Sequence, residues 1–288
     1  MPAAPTRPPE PAHHWIDGSP QLHAVEWRAD SDPTLLLLHG ATHQSMYWEP
    51  LARLLAPYRV LGLDLRGHGA SEWGEAGSYD AAHYLDDLER AIDRLVPTGP
   101  FALIGHSLGS LISMPYAAAH AERLWAAVFI DIDPRPPERQ RERLHEAGAR
   151  PPRSFGSLSE ARARLEQLTP GLSIDDYDLL AEATFEEAAD GTCRQRMDQR
   201  TLAEFPQFDH TSMLAGIEVP ALVVRGAASN VSSAEAADAA VAALPRGELA
   251  TVEGGHHLHV QEPQTLAEVL RAFLERWAPR HEGSDGGR

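Results

Sequence analysis

A serine set between two glycines, Gly105-His106-Ser107-Leu108-Gly109, follows the apolar run Phe101-Ala102-Leu103-Ile104. Helix-like spacing begins at once with Leu111, Ile112, Met114 and Tyr116. Strand, tight turn with serine at its apex, then helix is the context that gives Gly-x-Ser-x-Gly a mechanism, because the turn pushes the hydroxyl out of the sheet. A serine hydroxyl is a weak nucleophile until a base takes its proton. His256 is the candidate base, in Gly254-Gly255-His256-His257-Leu258-His259, between a strand ending at Val252 and a helix opened by Pro263. From there it can reach back over the strand ends to Ser107, take the proton, and return it to the leaving group. The same loop also offers three imidazoles within four residues, but it has no companion cysteine or carboxylate cluster for a metal.

Positioning a serine and a histidine so far apart in sequence requires a large scaffold. A chain of 288 residues is long enough for one α/β domain with a proper core. Apolar runs at Thr34–Leu38, Val60–Leu63, Phe101–Ile104, Ala126–Ile132, Ala221–Arg225 and Glu248–Val252 read as strands. Helical spacing lies between them, at Trp48–Leu55, Tyr84–Leu95, Leu108–His120, Ala234–Leu244 and Thr265–Trp277. Such alternation predicts a mostly parallel sheet flanked by helices. A hairpin of His14–Asp17 and Leu22–Arg28 is expected around Gly18-Ser19-Pro20.

From about Pro134 to Gly216 the alternation stops. Helical pieces are expected at Arg139–Glu146, Leu158–Leu168, Asp175–Ala189 and Arg194–Phe205. The expected organisation is therefore a core of residues 13–133 and 217–280 with an inserted helical cap, 134–216, over the carboxyl ends of the strands. Residues 1–12, with five prolines, and 281–288 read as disordered tails.

The totals narrow the partners. A net charge of −17 argues against nucleic acid and anionic membranes, and mildly against strongly anionic substrates, although a local pocket can override it. Cys193 is the only cysteine, the N-terminus lacks a signal-like apolar stretch, and no run could span a membrane. A cytoplasmic protein is expected, with a small-molecule substrate bearing an apolar portion.

Taken together, Leu38-His39-Gly40, Asp64-Leu65-Arg66-Gly67-His68-Gly69-Ala70-Ser71, the Ser107 motif, and Gly255-His256 with Pro263 resemble the α/β-hydrolase family. The resemblance covers roughly residues 20–135 and 218–278 and leaves out the cap. It implies an oxyanion hole from the backbone N–H groups of Leu108 and Ala41, dipoles worth about 3–4 kcal/mol per donor to a developing oxyanion. His43 is a further candidate for the pocket wall, and Asp64 with Arg66–Gly69 reads as a structural turn.

The acid departs from the commonest family pattern. Most members carry it after the penultimate strand, where this chain has Asn230. An amide cannot stabilise the imidazolium by charge, and the equivalent change in a serine protease lowers turnover by about 10⁴. Some relatives instead resemble an arrangement with the acid at the end of the strand after the nucleophile helix. Here that strand ends Ile130-Asp131-Ile132-Asp133-Pro134. Asp131, 24 residues after Ser107, is the favoured acid, with Asp133, or Asn230 and no acid, as alternatives.

The resemblance implies a serine hydrolase acting on a small ester, thioester or lactone through an acyl-enzyme, with no metal or organic cofactor. A carbon–carbon bond hydrolase would use the same residues. A binding protein or non-hydrolytic biosynthetic catalyst on the same fold is the reading from another class. Ser107 in place of a carboxylate nucleophile argues against a dehalogenase or epoxide hydrolase.

Overall fold

A computed structural model describes residues 10–170 and 172–279. The chain opens with β1 (Ala12–Ile16) and β2 (Leu22–Trp27), an antiparallel hairpin, followed by β3 (Thr34–Leu38). Next come a short helix α1 (Glu49–Ala52), β4 (Arg59–Asp64), α2 (Ala81–Leu95) and β5 (Phe101–His106). Helix α3 (Leu108–Ala119) and β6 (Leu124–Ile130) complete the first half. The last part holds two strands, Ala221–Gly226 and Gly247–Val252, and helices Ala234–Ala243, Leu258–Gln261 and Pro263–Trp277.

Between the halves lie α4 (Glu138–Gly148), β7 (Ser154–Phe155), α5 (Leu158–Leu168), α6 (Ile174–Thr184), β8 (Phe185–Glu187), β9 (Cys193–Gln195) and α7 (Arg200–Ala203). Counting on, the later strands are β10 and β11 and the later helices α8, α9 and α10. The expected tails, 1–12 and 281–288, lie outside the described residues except for residues 10–12, where β1 already begins at Ala12.

Eight strands form one sheet in the order β1-β2-β4-β3-β5-β6-β10-β11. The pairs β1–β2 and β2–β4 are antiparallel, and every other pair is parallel. Because side chains alternate across a strand, the unbroken apolar runs feed two cores at once. Leu36, Leu38, Leu103 and Phe129 pack with Leu88, Ile92 and Leu111 of α2 and α3. Leu35, Leu37, Ile104 and Val128 pack with Trp48, Leu266, Leu270 and Phe273 on the other face. Fully burying one such side chain stabilises the fold by about 1.5–3 kcal/mol. This is the parallel α/β architecture that the alternating pattern predicts.

The segment between β6 and β10 differs from the helical reading over Asp175–Ala189 and Arg194–Phe205. Helix α6 stops at Thr184, and β8 and β9 pair antiparallel around Asp190-Gly191, where Gly191 takes φ +77°. β7 adds to β9, so a three-stranded sheet forms there. The aromatic Phe155 and Phe185 meet edge to face at 5.5 Å, which suits paired strands better than a helix.

Candidate active site

Ser107 joins β5 to α3 with φ 52° and ψ −117°, a conformation that costs a non-glycine residue about 1–3 kcal/mol. Its neighbours make the turn fit. A Cβ on Gly105 would lie 2.4 Å from the Ser110 nitrogen, and one on Gly109 would lie 2.2 Å from the Leu38 oxygen. The Ser107 N–H donates to Ile130 O at 3.0 Å, and Ser110 Oγ donates to Gly105 O at 2.7 Å while accepting from Ile130 N. The elbow is thereby pinned to β6.

Asp131, the first residue after β6, is fully buried and also has positive φ, 49°. Its own N–H donates to Val224 O at 2.7 Å, so the end of β6 is in turn pinned to β10. Three donors converge on the carboxylate. Gly226 N–H reaches Oδ1 at 2.8 Å, while the Ser229 hydroxyl and His256 Nδ1 both reach Oδ2, the latter at 2.7 Å. Since a carboxylate accepts, His256 Nδ1 carries the hydrogen and Nε2 keeps its lone pair.

The other acid candidates sit elsewhere. Asp133 accepts from the Arg135 N–H at 2.9 Å, and burial raises its pKa. Asn230 is exposed on the cavity wall. The end of β10 and the loop after it supply donors to Asp131, through Gly226 and Ser229, rather than a carboxylate.

Ser107, His256, Ala41 and Asn230 line one cavity of about 300 Å³. As the first residue of α3, Leu108 has an N–H without an intrahelical partner. The Ala41 carbonyl is tied to His68 Nε2 at 2.9 Å, so the Arg66–Gly69 turn braces the loop that carries the Ala41 N–H. That turn also docks the segment between β6 and β10, since Gly69 N–H donates to Arg196 O and Asp198 N–H to Gly67 O. Asp64 takes Ser45 N–H and Ala70 N–H on its carboxylate and lies 2.8 Å from His23, which makes it a buried junction of loops.

A cluster of imidazoles underlies the cavity. His106 Nε2 donates to the His256 carbonyl at 2.8 Å, so the residue before the serine holds the loop of the candidate base. His43 stacks on Tyr47 at 3.9 Å and lies 3.2 Å from His259 through Nδ1 and Nε2. Burial holds His43, His106 and His259 well below the ordinary histidine pKa and lowers His257 to about 4. Two groups, His43–His106–His259 and His106–His256–His257, have ligand atoms within 4.8 Å of one another. Neutral imidazoles of that kind suit zinc, copper or nickel. The second group would take up the candidate base itself.

Sequence reasoning did not find Ser229 or His106 as supports. Each acts on a partner remote in the chain, 98 positions away for Ser229–Asp131 and 150 for His106–His256, and no local pattern marks such contacts. Of the apolar residues between Met197 and Phe208, Phe205 lines the serine cavity, together with Leu144 and Ile132. Met197, Leu202 and Phe208 are buried away from it. No helix among the described residues is long and apolar enough to cross a membrane.

Comparison with known proteins agrees with this architecture. A 2-(acetamidomethylene)succinate hydrolase of Mesorhizobium japonicum is 27% identical over 250 residues, 85% of this chain and 89% of that protein. An esterase of Mycobacterium tuberculosis is 27% identical over 266 residues, 88% of this chain and 86% of that one. Among solved structures, an alpha/beta hydrolase from Novosphingobium aromaticivorans superimposes with a TM-score of 0.78 at 30% identity, covering 93% of this chain and 99% of its own. E-2-(acetamidomethylene)succinate hydrolase superimposes with a TM-score of 0.80 at 25% identity, covering 92% and 100%. The model of the alpha/beta hydrolase family matches residues 35–269, from β3 into α10. A match that spans the sheet from its third strand to its last helix assigns the chain: it belongs to the alpha/beta hydrolase family and is an enzyme of the hydrolase class.

Proposed function

We propose that this hydrolase cleaves a small carboxylic ester, thioester or lactone through an acyl-enzyme on Ser107, with His256 as base and Asp131 as its acid. The observation that carries the reading is the His256–Asp131 hydrogen bond at 2.7 Å beside a cavity that also exposes Ser107. Ser107 Oγ attacks the acyl carbon and its proton passes to His256 Nε2. The tetrahedral oxyanion is held by the N–H groups of Ala41 and Leu108. Collapse expels the alcohol or thiol, which takes the proton from His256. Water then attacks the acyl carbon, again losing a proton to His256, and collapse returns that proton to Ser107 as the acid leaves. Asp131 keeps the productive tautomer and stabilises the imidazolium formed twice per turnover.

Names among the relatives, an esterase and a succinate-derivative hydrolase, support hydrolysis of an acyl compound. A reducing, cytoplasmic setting is part of the same proposal, supported by a single cysteine, Cys193, which is buried. The test is an alkyl fluorophosphonate probe together with p-nitrophenyl acetate and hexanoate. Wild type is expected to be labelled and to hydrolyse an ester, and Ser107→Ala to do neither. A wild-type protein that is unlabelled and inert toward both esters would remove the proposal.

A further inference from the structure

The serine cavity adjoins a second cavity of about 510 Å³, and the two share Thr42, His43 and His257. Charge is distributed between their walls and the rest of the molecule in an uneven way. The chain holds 42 acidic residues against 25 basic ones, yet no Asp or Glu among the described residues lines either cavity. Four arginines do: Arg139 and Arg143 at the serine cavity, Arg153 and Arg164 at the second.

Pairing separates these arginines from their neighbours. On α4, Arg141 lines neither cavity and is ion-paired with Glu138, whereas Arg139 and Arg143, exposed at the cavity wall, have no ion pair among the described residues. On α5, Arg162 is paired with Glu166 and Asp178, while Arg164 meets only the neutral side chain of Gln167. Arg139 and Arg143 are four apart on one helix, so their charges repel, and nothing in the cavity wall offsets that repulsion. An anionic group would. Guanidinium forks recognise planar carboxylates and phosphates by paired hydrogen bonds, and a cleft lined by one sign of charge concentrates the opposite ion. Neutral polar and imidazole groups share the remaining walls with apolar side chains, Ile132, Leu144 and Phe205 in the first cavity and Phe155, Leu165 and Phe185 in the second.

We infer that the substrate of this site is an amphiphilic anion, a short apolar acyl chain whose far end carries a carboxylate or phosphate held by Arg139 and Arg143. The inference rests on the serine-hydrolase proposal for the bond that is cleaved, but not for the anion that is bound. The overall acidity of the chain, which by itself disfavours such substrates, is reversed locally at the cavity walls by Arg139, Arg143, Arg153 and Arg164.

Two measurements test it. In the first, mono-p-nitrophenyl adipate is compared with its neutral methyl ester and with an acyl ester of matched length ending in phosphate. The wild type is expected to prefer one of the anions over the neutral ester by about tenfold or more in kcat/KM. The preferred anion decides between carboxylate and phosphate. The preference is expected to shrink in high salt and to collapse toward unity in Arg139→Gln/Arg143→Gln, whereas Arg141→Gln, at a position that lines neither cavity, retains it. In the second, calorimetric titration of Ser107→Ala with adipate and with a phosphate-ended acyl acid is expected to show binding that is lost when both arginines are also replaced. Hydrolysis of the esters without anion preference, or no binding of either anion by Ser107→Ala, overturns the inference and leaves the hydrolase proposal standing. Anion binding without any hydrolysis overturns the hydrolase proposal and upholds the arginine site.

Discussion

His256 Nδ1 lies 2.7 Å from Asp131 Oδ2 although 125 positions separate the two residues. Asp131 follows the strand immediately after the Ser107 helix, so the proposed nucleophile and its proposed acid belong to one β5–α3–β6 unit. Only the histidine arrives from far along the chain. This pairing makes the acid the most informative residue to alter.

Asp131→Asn is expected to lower kcat by about 10³–10⁴ while leaving the fold intact, because an amide selects the wrong histidine tautomer and carries no charge. Asn230→Asp is expected to change kcat little, since Asn230 is exposed on the cavity wall and, among the described residues, Asp131 rather than Asn230 is the hydrogen-bond partner of His256 Nδ1. Steady-state kinetics on one p-nitrophenyl ester decides. Equal losses in both variants, or a larger loss in the second, would return the acid to the loop after β10.

Ser229→Ala removes one hydroxyl donor from Asp131 and leaves Gly226 N–H and His256 in place. A fall of about tenfold in kcat with little change in KM is expected, as a hydrogen bond to a charged group contributes about 1.5–3 kcal/mol. Ser229→Thr keeps the hydroxyl and is expected to restore part of the rate. A KM-dominated defect would instead make Ser229 a substrate contact.

Gly109→Ala brings a Cβ to within 2.2 Å of Leu38 O and 2.6 Å of Leu38 C, and neither backbone atom can yield without separating α3 from β3. Destabilisation of about 3 kcal/mol in urea unfolding is expected. Gly216→Ala, whose Cβ would meet only Ala118 at 3.7 Å, serves as the comparison and should stay within about 0.5 kcal/mol.

Acid should destabilise this protein earlier than its carboxylates alone would. Burial lowers His257 to about 4 and His39 to about 3, and holds His43, His106 and His259 well below 6.5. Between about pH 6.5 and 4 the unfolded chain therefore binds more protons than the folded one, and stability falls as pH falls. Each such histidine contributes a slope of about 1.4 kcal/mol per pH unit where it titrates only in the unfolded state. Urea midpoints from pH 7.5 to 5 should fall steeply, with uptake of more than one proton on unfolding. His259→Gln should remove about one proton from that uptake. A flat profile over this range would contradict the buried neutral cluster.

Much of the architecture was legible because it follows from short-range pattern. Leu35–Leu38 is apolar at every position and is buried on both faces, as a sheet covered on both sides requires. Gly105 and Gly109 announce a close approach of backbones, and the turn between them carries the positive φ that such an approach needs. The β8–β9 hairpin was not legible. Its strands are three residues each, too short for alternation to stand out from the helical spacing of α6 beside them. Near Ser107 the sequence offered both Asp131 and Asp133, and it was the family resemblance, not a spacing of two residues, that favoured Asp131. The fold distinguishes them, since one side chain turns under the histidine loop and the other accepts from Arg135. The arginine-lined walls were hidden for a different reason. Net charge sums over the surface, while a cavity samples only a few side chains.

Ser107 and Asp131 both hold positive φ, and each is tied by its own N–H to the next strand of the sheet, Ser107 to Ile130 and Asp131 to Val224. Both tethers lie in β6 and β10, and neither uses a residue between Pro134 and Gly216. Ser107 and Asp131 thus sit in a socket built from the sheet, held independently of the segment between β6 and β10. Replacing side chains of that segment that line the cavity, such as Leu144 or Phe205, therefore leaves both tethers in place.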